Sequence, residues 1–334
     1  MAGPLNPHMI ANAPKLYVRY LHPSDLFHMV EKFVHVRFGG KEAFYGSADI
    51  TNYCNLKCSH CYWWVNRRPD EELTAEQWRD IVIKYFKKNH VIHTCICGGE
   101  PLLRPDVIDV FLEEMPKKCS IVTNGTLGLK PLETNHYFVS IDGPEEIHDR
   151  IRGPNTWRLT RKHVQDYVDR WGNDQIVISH TVNAMNYQYV EKVLQDWYGL
   201  AKHVSFQFYT PYSYEDPLWF PFGKERYALV EKIKHWKDNE YLEYISNTDD
   251  QLDLFKEAWG KRCPYWSILS VDHMGRIKYP CYMGSSNPDM IKPICERCGV
   301  GPHSIICSFG ISDAVGAFVR DTGPKVNAKL PVVS

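Results

Sequence analysis

The sequence predicts an α/β fold with a parallel sheet, followed by a cysteine-rich extension. Strand-like runs alternate with helix-like runs over about 170 residues, which is typical of consecutive βα units. Motifs rich in reactive side chains directly follow the predicted strands, and ligands of such sheets bind at the carboxyl ends of the strands. The composition then changes, first to proline and aromatic residues after Tyr209 and later to cysteine. We therefore expect an N-terminal extension over 1–42, a βα region over 43–215 and a C-terminal extension over 216–334.

Residues 24–38 of the N-terminal extension are predicted to form an amphipathic helix. Ser24 is a suitable N-cap, and Gly39-Gly40 ends the helix. The predicted apolar face consists of Leu26, Phe27, Val30, Phe33 and Val34. Two interpretations stay open, because such a face either packs beneath the βα region or docks on a membrane surface.

Composition and termini restrict the classes of function. The formal net charge is −1, so no overall field favours a nucleic-acid partner. Met1 to Pro14 lacks the charged and apolar parts of a secretory signal, and no run reaches the roughly 18 apolar residues of a membrane-spanning helix. We expect a cytoplasmic protein, with peripheral membrane contact at most. In a reducing compartment, eleven cysteines at short spacings favour metal ligands over disulfides.

Six strands are predicted, and helices lie between them. The strands are Ala43–Thr51, Val91–Cys97, Ser120–Thr123, Tyr137–Ile141, Ile176–Val182 and Val204–Tyr209. A capping box, Thr74-x-x-Gln77, begins a helix that runs towards Lys88. Further helices are predicted over Pro105–Glu114, Arg158–Arg170 and Tyr189–Tyr198, with two polar helices after Phe222.

Three cysteines, Cys54, Cys58 and Cys61, follow the first predicted strand within eight residues. Three thiolates on one short loop can bind three corners of an iron–sulfur cube and leave the fourth iron open. A catalytic metal site requires such an open position, because a substrate or cofactor binds there. The alternative is a zinc site that takes a fourth ligand such as His60 or His93.

The spacing Cys-x3-Cys-x-aromatic-Cys, with His60 in the aromatic position, resembles the signature of the radical S-adenosylmethionine (SAM) superfamily. Four further matches end successive predicted strands: Gly98-Gly99-Glu100-Pro101, Thr123-Asn124-Gly125, Ser140-Ile141-Asp142-Gly143 and Thr181-Val182-Asn183. The resemblance covers roughly residues 46–210. It implies a partial (β/α)6 TIM barrel that holds a [4Fe–4S] cluster and SAM in its upper end. It further implies an enzyme that cleaves SAM to a 5′-deoxyadenosyl radical, using electrons from a donor such as ferredoxin or flavodoxin.

The same resemblance suggests which residues bind SAM. Glu100, with the peptide groups of Gly98 and Gly99, is expected to hold the SAM ammonium. Asn124, in the motif that ends the third predicted strand, is included among the cofactor-binding residues. His60, Tyr62 and Asn183 are candidates for contact with adenine.

Two further SAM contacts are expected after the fourth predicted strand. Ser140 and Asp142 offer acceptors to ribose hydroxyls, although Asp142 is also suited to cap the following turn. Arg152, chosen over Arg150, is expected to pair with the SAM carboxylate.

The C-terminal extension carries a second group of thiols: Cys263, Cys281, Cys295, Cys298 and Cys307. Their order resembles the auxiliary-cluster region called SPASM or twitch, although five residues rather than four separate Gly275 from Cys281. Five thiols suffice for one auxiliary [4Fe–4S] cluster. The first four are the expected ligands, and Cys307 competes for one position. A four-cysteine zinc site is the alternative.

Cys95 and Cys97 stand two apart on a predicted strand, hence on one face of it. We expect small buried residues beneath the cofactor, with a redox pair as the alternative. Cys119 is expected in the core.

For the substrate, the sequence first favours an isoprenoid membrane lipid. The C-terminal motifs loosely resemble hopanoid adenosyltransferase-like and archaeal lipid-bridging enzymes, and the aromatic stretch Phe206–Phe222 is suited to line an apolar channel. A peptide maturase of the SPASM type is the alternative, although only about 45 residues precede the first strand, short for a peptide-recognition domain. A non-enzymatic iron–sulfur electron carrier is the alternative from another class, but it needs no SAM pocket.

Overall fold

The computed structural model describes residues 27–28, 31–32, 34–35, 38, 40–65, 71–134, 136–258, 263–287 and 289–301. Several residues of the predicted N-terminal helix, among them Ser24, Leu26, Val30 and Phe33, lie outside these ranges. Cys307 of the second thiol group also lies outside them.

Seven parallel strands form one sheet in the order β6-β5-β4-β3-β2-β1-β7. The strands are β1 (Tyr45–Asp49), β2 (His93–Cys97), β3 (Cys119–Thr123), β4 (Tyr137–Ser140), β5 (Ile176–Val182), β6 (His203–Phe208) and β7 (Ile268–Val271). The α-helices are α1 (Tyr62–Val65), α2 (Ala75–Ile81), α3 (Pro105–Glu114), α4 (Glu145–Arg152), α5 (Thr156–Trp171), α6 (Val190–Trp197), α7 (Lys224–Asn239) and α8 (Asp249–Leu254). The predicted α/β fold class is confirmed.

Helix α2 begins at the predicted capping box. The Thr74 side chain accepts from the backbone of Gln77, and the Gln77 side chain accepts from the backbone of Thr74. Beyond Ile81 the helix continues as a π-helical turn over Val82–Lys87, which the sequence pattern did not indicate. This helix packs against α3 over the first strands of the sheet.

The C-terminal extension contributes β7, a strand that the sequence analysis missed. It pairs in parallel with β1, with Tyr45 opposite Ile268 and Ala48 opposite Val271. The segment after Cys263 therefore lies beside the loop that carries the first cysteines.

The two faces of the sheet differ in chemistry. Helices cover one face, where Ile96, Phe86, Phe111 and other apolar residues form the main core. On the opposite, interior face, Ser270, Ser47, Cys95 and Ser120 stand side by side across four strands. A second row consists of Ser140, Ser179 and Ser205 on β4, β5 and β6. Small polar side chains therefore form two rows of the interior, while Val122, Phe138 and Val177 add an apolar row to the same face.

The aromatic stretch proposed as a lipid channel is instead part of the core. Phe206, Phe208 and Phe220 are buried on the helix-covered side, and Phe208 stacks with Phe220 at 6.4 Å between ring centroids. Successive side chains of β6 point to opposite faces of the sheet. Because Ser205 and Gln207 face the interior, Phe206 and Phe208 face the helices. The expectation of an apolar channel in this stretch is wrong.

The described residues of the predicted N-terminal helix lie at the amino ends of the strands. Lys32 donates to the carbonyls of Ala43 and Asn89, which precede β1 and β2. Phe27 and Val34, from the predicted apolar face, are 68% and 48% exposed. This segment is thus at the end of the sheet opposite the cysteine loop. None of the described helices combines the length and apolarity that crossing a bilayer requires.

Candidate functional site

The three cysteines of the first motif lie on the loop that connects β1 to α1. The backbone N–H of Cys61 donates to the Cys58 carbonyl at 3.2 Å, and the N–H of Leu56 approaches the Cys54 sulfur at 3.4 Å. The three thiols are close enough to affect one another's ionisation. Burial raises all three thiol pKa values, that of Cys61 to about 12. Without a metal these thiols hold their protons, and a metal ligated by them must displace those protons.

Gly98 and Gly99 hold the loop after β2 against the cysteine loop. The N–H of Gly99 donates to the Thr51 carbonyl at 2.9 Å, and the N–H of Glu100 donates to the Tyr53 carbonyl at 2.8 Å. A Cβ on Gly99 would lie 2.0 Å from the Tyr53 oxygen. The close approach that these glycines permit is therefore to the backbone beside Cys54.

Glu100 is almost fully buried and links the ends of β2 and β3. Its carboxylate accepts hydrogen bonds from the Leu102 N–H at 3.1 Å, the Thr123 hydroxyl at 2.7 Å and the Asn124 N–H at 2.8 Å. Asn124 in turn donates to Asn55 of the cysteine loop at 3.0 Å. Both predicted SAM-binding residues thus also fix the position of the cysteine loop.

Asp142 is the centre of a buried polar cluster at the end of β4. Its carboxylate accepts from Arg152 Nε at 2.5 Å and lies 3.5 Å from His60 Nε2, while its N–H donates to His148 at 3.2 Å. Burial opposes ionisation of Asp142, but Arg152 and the neighbouring histidines hold its pKa below the ordinary value. The structure thus places Arg152 beside Asp142, and both beside the His60 of the cysteine motif.

Ser140 and Asn183 lie near this cluster. Ser140 ends β4 two residues before Asp142. Asn183 is buried after β5 and accepts from the Met185 N–H at 2.8 Å. Asn186, which the sequence analysis missed, donates to the Asp142 carbonyl at 2.9 Å and joins the two loops.

Buried polar atoms around the cluster lack hydrogen-bond partners within the described chain. They are Asp142 Oδ1, His60 Nδ1, His148 Nε2, His180 Nε2 and Asn183 Nδ2. A buried polar atom without a hydrogen-bond partner costs free energy. We therefore expect a polar ligand to supply hydrogen bonds to these atoms. A polar cofactor such as SAM, beside three thiols that suit iron, fits this donor and acceptor set.

Tyr62 lies beside the end of β1, and its contacts are with Asp49 and Lys278 rather than with the Asp142 cluster. Its hydroxyl is 3.5 Å from Asp49, and Asp49 forms an ion pair with the buried Lys278. Lys278 also donates to the Tyr282 carbonyl, beside Cys281. Sequence reasoning missed Asp49 and Lys278, which stand 229 residues apart in the chain.

A cavity of about 130 Å³ opens beside this ion pair at the carboxyl ends of β1 and β7. The polar part of its lining includes Asp49, Tyr62, Asp272, Arg276, Lys278 and Asn287, and the apolar part includes Trp63, Met283 and Met290. The Asp272 carboxylate already accepts four hydrogen bonds. The donors are the backbone N–H groups of Met274 and Arg276, the Arg276 side chain and the Ser286 hydroxyl. The cavity therefore presents paired charges and polar groups.

The second thiol group surrounds a separate, mostly apolar cavity of about 60 Å³. Cys263, Cys281, Cys295 and Cys298 all line it, together with Thr210, Tyr265 and Met283. Four thiols around one small apolar space are of the residue type that binds a metal centre through thiolates alone, although their sulfurs are not drawn together around a single ion. In the described part of the chain, no three His, Cys, Asp or Glu side chains are arranged to hold a single metal ion.

Cys95 and Cys97 project from β2 into the interior, as expected for one face of a strand. Burial raises the pKa of Cys95 to about 12, and that of Cys97 is raised as well. Cys119 is buried against α3, in the core as predicted.

Comparison with known proteins identifies a family model and several curated proteins that this chain resembles. Residues 49–196 match the family model described as the radical SAM superfamily. The AdoMet-dependent heme synthase of Methanosarcina barkeri (strain Fusaro / DSM 804) is 29% identical over 203 residues, which cover 56% of this chain and 56% of that protein. The sporulation killing factor maturation protein SkfB of Bacillus subtilis (strain 168) is 27% identical over 160 residues, covering 44% of this chain and 37% of SkfB. The matched parts thus span about half or less of these relatives.

A solved structure resembles the fold more widely. The crystal structure of Streptococcus suis SuiB bound to precursor peptide SuiA superimposes with a TM-score of 0.60 and 16% identity, over 92% of this chain and 74% of that one. At this identity the likeness concerns the fold.

Proposed function

Because residues 49–196 of this chain belong to the radical SAM superfamily, we propose that the protein cleaves SAM at a [4Fe–4S] cluster and modifies a peptide. Cys54, Cys58 and Cys61 would hold three irons of that cluster. A cluster bound there and reduced would supply the one electron needed to cleave SAM to methionine and a radical able to abstract hydrogen from a substrate carbon.

The residues of this chain would position SAM and keep water away from it. Asp142 Oδ1 and Asn183 Nδ2 are buried and lack hydrogen-bond partners among the described residues, so they are available to the ribose and adenine. Arg152 balances the charge of Asp142, and Glu100 and Gly99 fix the cysteine loop relative to β2 and β3. A pocket fixed in this way holds reacting atoms in a productive geometry.

The polar interior is the observation that carries the choice of a peptide. The hydroxyls of Ser120 and Ser270 face the interior, are buried, and lack partners within the described chain. A peptide has amides that need donors and acceptors when buried, whereas a lipid tail gains only from contact with carbon. The aromatic stretch that would have served a lipid is in the core, and the N-terminal segment lies at the opposite end of the sheet.

Names among the similar proteins favour the same choice. One relative is a maturation protein for sporulation killing factor, and SuiB was solved with a precursor peptide. The proteins compared above carry no lipid in their names. The four thiols around the second cavity support one auxiliary metal centre, for which an iron–sulfur cluster is our first choice and zinc the alternative.

A substrate-dependence assay tests the proposal. The anaerobically reconstituted, reduced full chain would be incubated with SAM and one of three probes: synthetic peptides encoded beside its gene, a membrane lipid extract, or iron coproporphyrin. We expect only the peptides to raise 5′-deoxyadenosine formation and to change in mass. Turnover of lipid or porphyrin alone would overturn the choice of substrate, whereas no SAM cleavage under any condition would overturn the radical chemistry.

A further inference from the structure

Arg226 is a buried cation for which the described chain provides no carboxylate. It stands in the first turn of α7, and its side chain is fully buried. The guanidinium donates to the carbonyls of Phe255 at 2.6 Å and Phe220 at 2.7 Å, while Nη2 has no partner among the described residues. No described Asp or Glu forms an ion pair with it, so carbonyl dipoles alone satisfy its hydrogen bonds.

The surroundings make this charge more costly. The first turn of a helix carries a partial positive charge, which repels a cation placed there. The rings of Phe208 and Phe222 lie 4.3 and 4.5 Å from the guanidinium carbon and offer some cation–π stabilisation. Neither a ring nor a carbonyl supplies a net negative charge. A buried charge without a counter-charge is strongly destabilising, so an anionic group is expected nearby.

The second thiol group is the neighbour that can supply that anion. Phe208 lies under the guanidinium and donates its N–H to the Gly299 carbonyl at 2.8 Å. Gly299 packs so tightly that a Cβ on it would lie 2.2 Å from the Phe208 oxygen. Cys298 immediately precedes Gly299, so a negative charge on its sulfur, once a bound metal has displaced the thiol proton, would lie close enough to stabilise the Arg226 guanidinium.

We propose that Arg226 is the counter-charge of an anionic metal–thiolate centre held by Cys263, Cys281, Cys295 and Cys298. This inference rests on the metal centre of the proposed function. Four thiolates around a [4Fe–4S] core, or around zinc, leave a net negative charge in an apolar cavity. A fixed cation behind one ligand stabilises that charge and makes a cluster easier to reduce, because the reduced state is more negative. Arg226 is thus a positioning residue that acts through Cys298.

The test uses the full chain with Cys54, Cys58 and Cys61 replaced by Ala, so that any iron signal comes from the second thiol group. Arg226→Met and Arg226→Lys would be compared with Arg161→Met as the matched control. Arg161 is likewise packed between two rings, Trp157 and Trp197, and donates to one carbonyl, but it lies on α5. Circular dichroism would establish that each variant folds.

We expect Arg226→Met to release its metal to excess chelator roughly ten-fold faster, which corresponds to about 1.4 kcal/mol. The midpoint potential of its cluster should shift to more negative values. The potential of Arg226→Lys should stay close to that of the parent, and the potential of Arg161→Met should equal it. A purely structural arginine would lower thermal stability without moving the potential. Unchanged release and potential in Arg226→Met, or an equal shift in Arg226→Lys, would overturn the proposal. If Arg226→Met does not fold, Arg226→Gln replaces it as the charge-removing variant: a potential more negative than that of Arg226→Lys supports the proposal, and a potential equal to it overturns the proposal.

The metal content separates this inference from the proposed function. If the purified parent holds zinc, the auxiliary iron–sulfur cluster is wrong, and the same order of release rates is expected for zinc. If the four thiols bind neither iron nor zinc, the counter-charge proposal is overturned, while SAM cleavage by the unmodified chain can still be measured.

Discussion

Lys278 and Asp49 form a buried ion pair between the C-terminal extension and the end of β1. Both side chains are almost completely buried, at 3% and 1% exposed. Asp49 also approaches the hydroxyl of Tyr62, the residue after Cys61, and Lys278 donates to the carbonyl next to Cys281. The pair is thus a direct polar connection between the segments that carry the two thiol groups.

Breaking this pair should destabilise the chain strongly. Lys278→Met leaves the Asp49 carboxylate buried without a counter-charge, at a cost of about 3–5 kcal/mol in the free energy of unfolding. The double variant Asp49→Asn with Lys278→Met should cost clearly less than the sum of the single variants. Urea unfolding of the metal-free chain measures all of them, with the exposed Arg150→Met as control, expected to cost about 0–1 kcal/mol. Additive single and double variants would contradict the pairing.

Gly99→Ala should damage the first thiol group without touching a cysteine. The new Cβ would meet the Tyr53 oxygen at 2.0 Å and the Cys54 nitrogen at 3.0 Å, so the cysteine loop must move. Overpacking of this kind costs about 1–3 kcal/mol. Iron per chain after reconstitution should fall several-fold. Gly199→Ala is the control, because a Cβ there meets no atom within 4 Å, and the positive φ of Gly199 (+82°) adds a backbone strain that Gly99 does not carry. Full iron loading of Gly99→Ala would show that the loop tolerates displacement.

Asp142→Asn should weaken SAM binding while iron content stays unchanged. The substitution removes the charge that Arg152 balances and the acceptor that a ribose hydroxyl would use. Losing a charged hydrogen bond costs about 1.5–3 kcal/mol, or roughly ten- to a hundred-fold in affinity. Equilibrium dialysis of SAM against the cluster-loaded chain measures this, with the exposed Glu146→Gln as control. Unaltered affinity would mean that Asp142 lies outside the cofactor pocket.

His148 should make the fold sensitive to mild acid. Burial, followed by the nearby Arg152, lowers its pKa to about 3 in the folded chain, against an ordinary value of 6.5. The unfolded chain therefore takes up a proton that the folded chain does not, and stability falls as the pH drops from 6.5 towards 3. His148→Asn should reduce the slope of unfolding free energy against pH by up to about 1.4 kcal/mol per unit between pH 6 and pH 4. A wild-type slope in this variant would contradict a neutral buried His148.

Local patterns allowed much of the fold to be predicted from the sequence. The capping box of Thr74 and Gln77 and the strand Ile176–Val182 depend on neighbouring residues, and both are confirmed. The three cysteines of the first motif are adjacent in sequence, so their placement on one loop followed directly. β7 was missed because its four residues stand among cysteine and proline motifs without an alternating pattern.

Long-range relationships were not accessible from the sequence. Lys278 meets Asp49, and Gly299 meets Phe208, only because the extension returns to β1 and β6. An aromatic stretch can line a channel or pack in a core. In β6, Phe206 and Phe208 face the helices rather than the interior, so they belong to the core. Which side chains of β6 face the interior depends on how the strand pairs with β5. The sequence composition does not show this pairing, and composition alone led to the lipid interpretation.

Reductive cleavage of SAM tests the central claim most directly. The reconstituted chain, reduced with dithionite, should form 5′-deoxyadenosine and methionine from SAM, as quantified by liquid chromatography and mass spectrometry. Cys58→Ala should form neither above the no-enzyme background, whereas Cys119→Ala, which changes a thiol buried against α3, should retain the parent rate. Product formation by Cys58→Ala at the parent rate would contradict the assignment of the first thiol group as the site of SAM cleavage.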